Sequence, residues 1–88
     1  MVEEKLKHKD ADLLERITNN DYSAFEMLYN RYWELVYNTA YKRLNDSGLC
    51  KDIVQDLFLD IWERRNSIQI ENFPGYVNKA TKYIVYKI

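Results

Sequence analysis

The stretch that most constrains this chain is Asp52-Ile-Val-Gln-Asp-Leu-Phe-Leu-Asp-Ile-Trp-Glu-Arg-Arg65. At the helical period, Ile53, Val54, Leu57, Phe58, Ile61 and Trp62 fall on one half of a cylinder. Asp52, Gln55, Asp56, Asp60 and Glu63 fall on the other. This division predicts a helix with one side on a core and the other in water. Leu59 breaks the division, because it stands in the acidic half beside Asp52, Gln55, Asp56 and Glu63. Two readings follow. A lone exposed leucine is ordinary on a protein surface. An apolar anchor ringed by acidic and amide groups is also what a docking face for a basic partner needs.

The rest of the chain reads as helical too. With 88 residues it is one domain, and a domain this small has a thin core. Two glycines and one proline leave too little punctuation for a β-rich fold. The pattern predicts an all-α fold, a compact bundle of about four helices over residues 10–88, behind a flexible arm at residues 1–9.

A short helix is expected from Asp10 to Thr18, capped by Asp10 or Asp12, with Leu13, Leu14 and Ile17 as its stripe. Asn19-Asn20-Asp21 ends it. A long helix is expected from Tyr22 to Leu44, capped by Asp21 or Ser23, with Glu26 in the capping-box relation to Ser23. Phe25, Leu28, Tyr29, Tyr32, Val36 and Ala40 share one line of it, with Trp33 and Leu35 at the margins. Its aromatic rings read as core filling rather than as base-stacking groups. Gly48 reads as the end of a loop, Asp46 or Ser47 as the next cap, and the third helix as about Leu49 to Arg65. Arg64 and Arg65 then lie at the negative end of the helix dipole.

Asn66 to Phe73 reads as an ordered loop with Ile68 and Ile70 as apolar pegs. Pro74 opens a last helix that runs to Ile88. Val77, Ala80, Thr81, Ile84 and Ile88 are expected to face inward. Lys79, Lys82, Tyr83 and Tyr86 group outward, with Tyr76, Asn78 and Lys87 at the edges. Lysines interleaved with rings suit nucleic acid, the charges meeting phosphates and the rings meeting bases. The plainer reading is a solvated face with amphipathic tyrosines. Residues 67–88 carry three lysines against one acid, although the whole chain has a net charge of −1.

Catalytic chemistry is missing. The one histidine, His8, lies in the arm, so no nucleophile–histidine pair is available. No Glu-x-x-His pair or Gly-rich phosphate loop occurs. No metal, cofactor or small-molecule substrate is expected, and the chain does not read as an enzyme. Cys50, the single cysteine, excludes an internal disulfide and reads as a small buried hydrophobe. No apolar run approaches a membrane span and the N-terminus lacks a signal-peptide core, so a cytoplasmic protein is expected.

Several segments together resemble the region-two domain of bacterial sigma factors of the extracytoplasmic-function (ECF) group. They are Leu13-Leu-Glu-Arg-Ile17, Asp21-Tyr-Ser-Ala-Phe-Glu-Met-Leu-Tyr29, Arg31-Tyr32-Trp33, Ala40-Tyr-Lys-Arg-Leu44, Asp52 to Trp62, and Tyr76-Val-Asn-Lys-Ala80. The Asp-x-x-Gln-Asp-x-Phe core is the most specific piece. The resemblance implies that Asp52, Gln55, Asp56, Leu59 and Glu63 dock on the β′ clamp helices of RNA polymerase core. It implies that the loop from Asn66 and the last helix, with Asn78, Lys79, Lys82, Tyr83 and Tyr86, bind the non-template strand of the −10 promoter element. There a flipped base is held, and contacts to it offset the few kcal/mol of unstacking. An anti-sigma factor is a further partner that the resemblance suggests.

Two departures stand against the family pattern. The resemblance implies a linker and a helix-turn-helix domain after this one, so a chain stopping at Ile88 reads as an excised fragment or a truncated product. Such a piece is expected to bind polymerase weakly and not to start transcription alone. The last helix is only mildly basic, so low affinity for free DNA is expected. The competing reading is a small helical protein–protein adaptor without a nucleic-acid role.

Overall fold

The structure is a computed structural model that describes residues 9–88. The expected arm at residues 1–9, with His8, lies outside the described residues except for Lys9. Four helices form: α1 Asp10–Thr18, α2 Tyr22–Leu44, α3 Ser47–Glu63 and α4 Phe73–Lys87. The long helix α2 is the spine, and α1, α3 and α4 all pack against it. The slab measures 37 × 31 × 19 Å. Its short dimension is about two helix diameters, so each helix keeps one face in solvent. The surfaces of α3 and α4 follow from that geometry.

The core forms where the apolar stripes meet. Leu13 and Ile17 of α1, Leu28, Val36 and Ala40 of α2, and Ile53, Leu57, Phe58 and Ile61 of α3 are buried. Phe58 is its hub, with ring centroids 6.2 Å from Phe25, 4.9 Å from Tyr29 and 6.2 Å from Phe73. Aromatic pairs at such spacings add about 0.5–1.5 kcal/mol each beyond burial. Tyr29 and Tyr32 are half-buried at the rim, as amphipathic rings should be. Cys50 is fully buried, and burial pushes its thiol above the usual range.

The corners show which residues cap and which do not. Asn20 adopts left-handed backbone (φ 66°) between α1 and α2. Asp21 then caps α2 by accepting from the Ala24 amide at 3.3 Å, and its other oxygen accepts from Arg16 Nε at 2.8 Å. The Arg16 bond holds the Asp21 carboxyl below the usual aspartate range. Asp21 is thus the cap, not Ser23, and no capping box with Glu26 is needed.

Four expectations need correction. First, Asp10 and Asp12 do not cap α1, whose N-cap is Lys9 without a side-chain bond. Asp10 instead accepts from Arg31 Nη1 at 2.8 Å and from the Tyr32 hydroxyl, which ties α1 to α2. Desolvation, and then the bond to Asp10, push the Tyr32 hydroxyl up to about 12. Second, α3 starts at Ser47 and ends at Glu63, not from Leu49 to Arg65. Asn45 takes the left-handed position (φ 53°) and Asp46 caps through the Leu49 amide at 2.9 Å, so Gly48 lies within the first helical turn. Third, α4 starts at Phe73, one residue earlier than expected, because Asn72 caps it through the Gly75 amide at 3.0 Å. A Cβ on Gly75 would stand 3.1–3.3 Å from the Asn72 side chain, so this cap favours glycine there. Fourth, Ile88 is 67% exposed, while Val85 fills the inward position at the end of α4.

Candidate functional site: two outward helix faces

The outer face of α3 is the first candidate surface. Asp52, Gln55, Asp56 and Glu63 are all exposed, and Leu59 is 54% exposed among them. Asp60, one residue on, faces the α4 side and accepts from Arg64 Nη2 at 2.8 Å. That pair raises the Arg64 guanidinium further above its ordinary value. Asp60 is thereby engaged, whereas the acids around Leu59 form a ring on open helix surface.

Leu59 does not stand on a flat surface. It borders a cleft of about 550 Å³ between α2 and α3, walled by Tyr22, Phe25, Tyr29, Phe58 and Trp62. Tyr22 meets Trp62 edge to face at 5.2 Å, and Phe25 lies 5.3 Å from the same indole. Arg65 also lies over the Trp62 ring, its guanidinium 4.1 Å from the ring centroid. Arg65 also donates to the Trp62 carbonyl at 2.6 Å and to Asn20 Oδ1 at 2.9 Å. The indole is thus fixed from several sides, and the apolar anchor at Leu59 continues into a built aromatic wall. The α2 half of this wall was read in the sequence only as core, because helix periodicity does not show which rings line a cleft.

The connection and α4 form the second candidate surface. Asn66 is exposed, within the turn that closes α3. The Ser67 and Ile68 amides both donate to the Arg64 carbonyl, at 2.9 and 3.1 Å. Ile68 and Ile70 are half-buried against the core, so the expected pegs hold the loop down. On α4, Lys79 and Lys82 are exposed, and Tyr83 and Tyr86 are 62% and 68% exposed. Lys87 Nζ lies 4.5 Å from the Tyr83 ring centroid, and the Arg43 guanidinium of α2 lies 4.2 Å from that of Tyr86. Asn78 is set apart from this group. It is half-buried and accepts from Thr39 Oγ1 of α2 at 3.2 Å, so it joins two helices rather than standing on the open face.

The two faces are chemically opposite, acid around a leucine on α3 and lysine among tyrosines on α4. Neither is a catalytic arrangement. Among the described residues no cluster of histidine, cysteine and carboxylates could hold a metal ion. No helix there is long and apolar enough to cross a membrane.

Comparison with known proteins gives this geometry a family. The chain is 29% identical over 63 residues to the ECF RNA polymerase sigma factor SigK of Mycobacterium tuberculosis and of Mycobacterium bovis. That alignment covers 72% of this chain and 33% of the relatives. A SigK from Mycobacterium sp. (strain KMS) is 33% identical over 55 residues, covering 62% of this chain and 28% of its own. The chain therefore spans about one third of the length of the curated relatives it matches. No solved structure matches it significantly. The Sigma-70 region 2 profile matches residues 28–85, from within α2 to the last turns of α4, and the chain belongs to the Sigma-70 region 2 family.

Proposed function

We propose that this chain is the polymerase-docking and promoter-reading domain of an ECF-type sigma factor. The family is non-enzymatic. In this reading the α3 face, with Asp52, Gln55, Asp56, Leu59 and Glu63, seats on the basic β′ clamp helices of RNA polymerase core. The loop from Asn66 and the α4 face, with Lys79, Lys82, Tyr83 and Tyr86, take the non-template strand of the −10 element and help melt it. Asn78 supports that face from its bond to Thr39. An anti-sigma factor that covers the α3 face would block docking directly.

The observation that carries the proposal is Leu59, an exposed apolar side chain at the lip of an aromatic cleft and ringed by acids. An anchor within a charged rim is the usual layout of a binding hot spot. The rim charges steer a basic partner and fix its register. Measuring binding to the isolated β′ clamp-helix segment, wild type beside Asp56→Arg, tests it. The reversed charge is expected to weaken binding about tenfold, or about 1.4 kcal/mol. Equal affinity of the two proteins would remove this face from the proposal.

A further inference from the structure

The cleft beside Leu59 has a chemistry of its own. Tyr22, Glu26 and Asn30 recur at i, i+4 spacing along its α2 wall, across from Gln55 and Trp62 of α3. We infer that this cleft is a slot for one guanidinium group, an arginine side chain that the docking partner inserts beside Leu59. The inference rests on the docking role proposed above and deepens it. It adds Tyr22, Glu26 and Asn30 of α2 to the docking face and names the side chain they receive.

Charge is the first argument. No lysine or arginine lines the cleft, and Glu26 is the one carboxylate that does. Glu26 is exposed and has no ion pair among the described residues. Asp52, Asp56 and Glu63 extend the negative charge along α3. The walls are otherwise mostly aromatic, and a ring face attracts a cation held within about 6 Å of its centroid. Trp62 already receives one from Arg65, yet Arg65 is not among the residues that line the cleft. The result is a negative, ring-walled space lined by no cation of the described residues.

The second argument is which occupant satisfies the whole lining. An aliphatic side chain would bury against the rings but strip water from Glu26, Asn30 and Gln55 without replacing its hydrogen bonds. A lysine ammonium is a strongly hydrated point charge, costly to withdraw from water. A guanidinium is more weakly hydrated, stacks its flat faces on rings and keeps its N–H donors at the edge. Those donors match the Glu26 carboxylate and the side-chain oxygens of Asn30 and Gln55, all three residues being exposed at the cleft. At about 550 Å³ the cleft falls in the size range of small-molecule sites, roughly 300–1,000 Å³, so the stem of the side chain fits as well.

The test titrates the ¹⁵N-labelled chain with N-acetyl-arginine methylamide and with its neutral isostere, N-acetyl-citrulline methylamide. The arginine probe should shift the Trp62 indole N–H and the amides of Glu26, Asn30 and Gln55, and bind about fivefold more tightly than the citrulline probe. Glu26→Gln, a change at an exposed position, should remove most of that preference. The same variant should weaken binding of the β′ clamp-helix segment about fivefold, non-additively with Arg→Lys replacement of one arginine in that segment. Equal binding of the two probes, or no shifts in the cleft, would overturn the guanidinium slot. A clamp-helix segment sensitive to Asp56→Arg but indifferent to Glu26→Gln and to every Arg→Lys replacement would overturn the inference and leave the docking reading standing. Binding of the arginine probe beside a clamp-helix segment that does not bind at all would overturn the docking reading, and with it this partner as the source of the arginine.

Discussion

Helices α3 and α4 are built alike and finished differently. Each buries one stripe against α2 and exposes the other, yet their exposed stripes carry opposite chemistry. On α3 the exposed residue that matters is apolar, and the charges around it are acidic. On α4 the exposed rings are partnered by cations, Lys87 on Tyr83 and Arg43 on Tyr86. The first arrangement suits a desolvated protein contact and the second a wet, salt-sensitive contact with a polyanion. One thin core thus holds two chemically opposite surfaces, and neither helix has to compromise its inner stripe.

That contrast can be broken at its common root. Phe58 joins Phe25, Tyr29 and Phe73, so it links α3 to both α2 and α4. Phe58→Ala should cost about 3–5 kcal/mol in chemical denaturation and weaken both surfaces together. A variant that lost only one function would show that the faces do not share this support. Leu59→Ala should separate them instead. Being exposed, it should leave stability within about 0.5 kcal/mol of wild type. Binding to the clamp-helix segment should drop by about 1–2 kcal/mol, with DNA contacts unchanged. Loss of DNA contacts in that variant would contradict the division of labour.

Smaller effects test the frame that holds both faces. Asp21→Ala removes the α2 cap and should lower the thermal unfolding midpoint. The Asp21 carboxyl is depressed in the folded state, so its contribution is present above the ordinary aspartate value of 3.8. It should fade as pH falls through the lower folded value, and Asp21→Ala should flatten that acid limb. Tyr32 behaves oppositely, with a hydroxyl raised from 10.0 to about 12 by desolvation and Asp10. Stability should therefore fall as pH rises from about 10 to about 12, because the unfolded chain loses the proton first. Tyr32→Phe should remove that alkaline loss, the smallest of these effects, and a curve identical to wild type would discount the bond to Asp10.

Much of this frame was legible in the sequence, because helix periodicity reports burial directly. The inner stripe of α3 and the exposed position of Leu59 followed from spacing alone. Most of the misses share one physical origin, which is that long-range partners are invisible to periodicity; Gly48 is the local exception. Asp10 looked like a cap because it stands at a helix start, yet Arg31 and Tyr32 are across the α1–α2 contact. Gly48 looked like a loop residue because glycine usually breaks helices, yet Asn45 adopts the left-handed position in its place. Asn78 looked like a surface donor until Thr39 was seen beside it.

The buried Cys50 has a consequence of its own. Its sulfur lies fully covered near the start of α3, and its raised thiol leaves little of the reactive thiolate at neutral pH. An alkylating reagent can therefore reach it only when α3 lifts away from its neighbours. The chain carries a natural clock for that event: the labelling rate, compared with an exposed thiol under the same conditions, counts how often α3 comes loose.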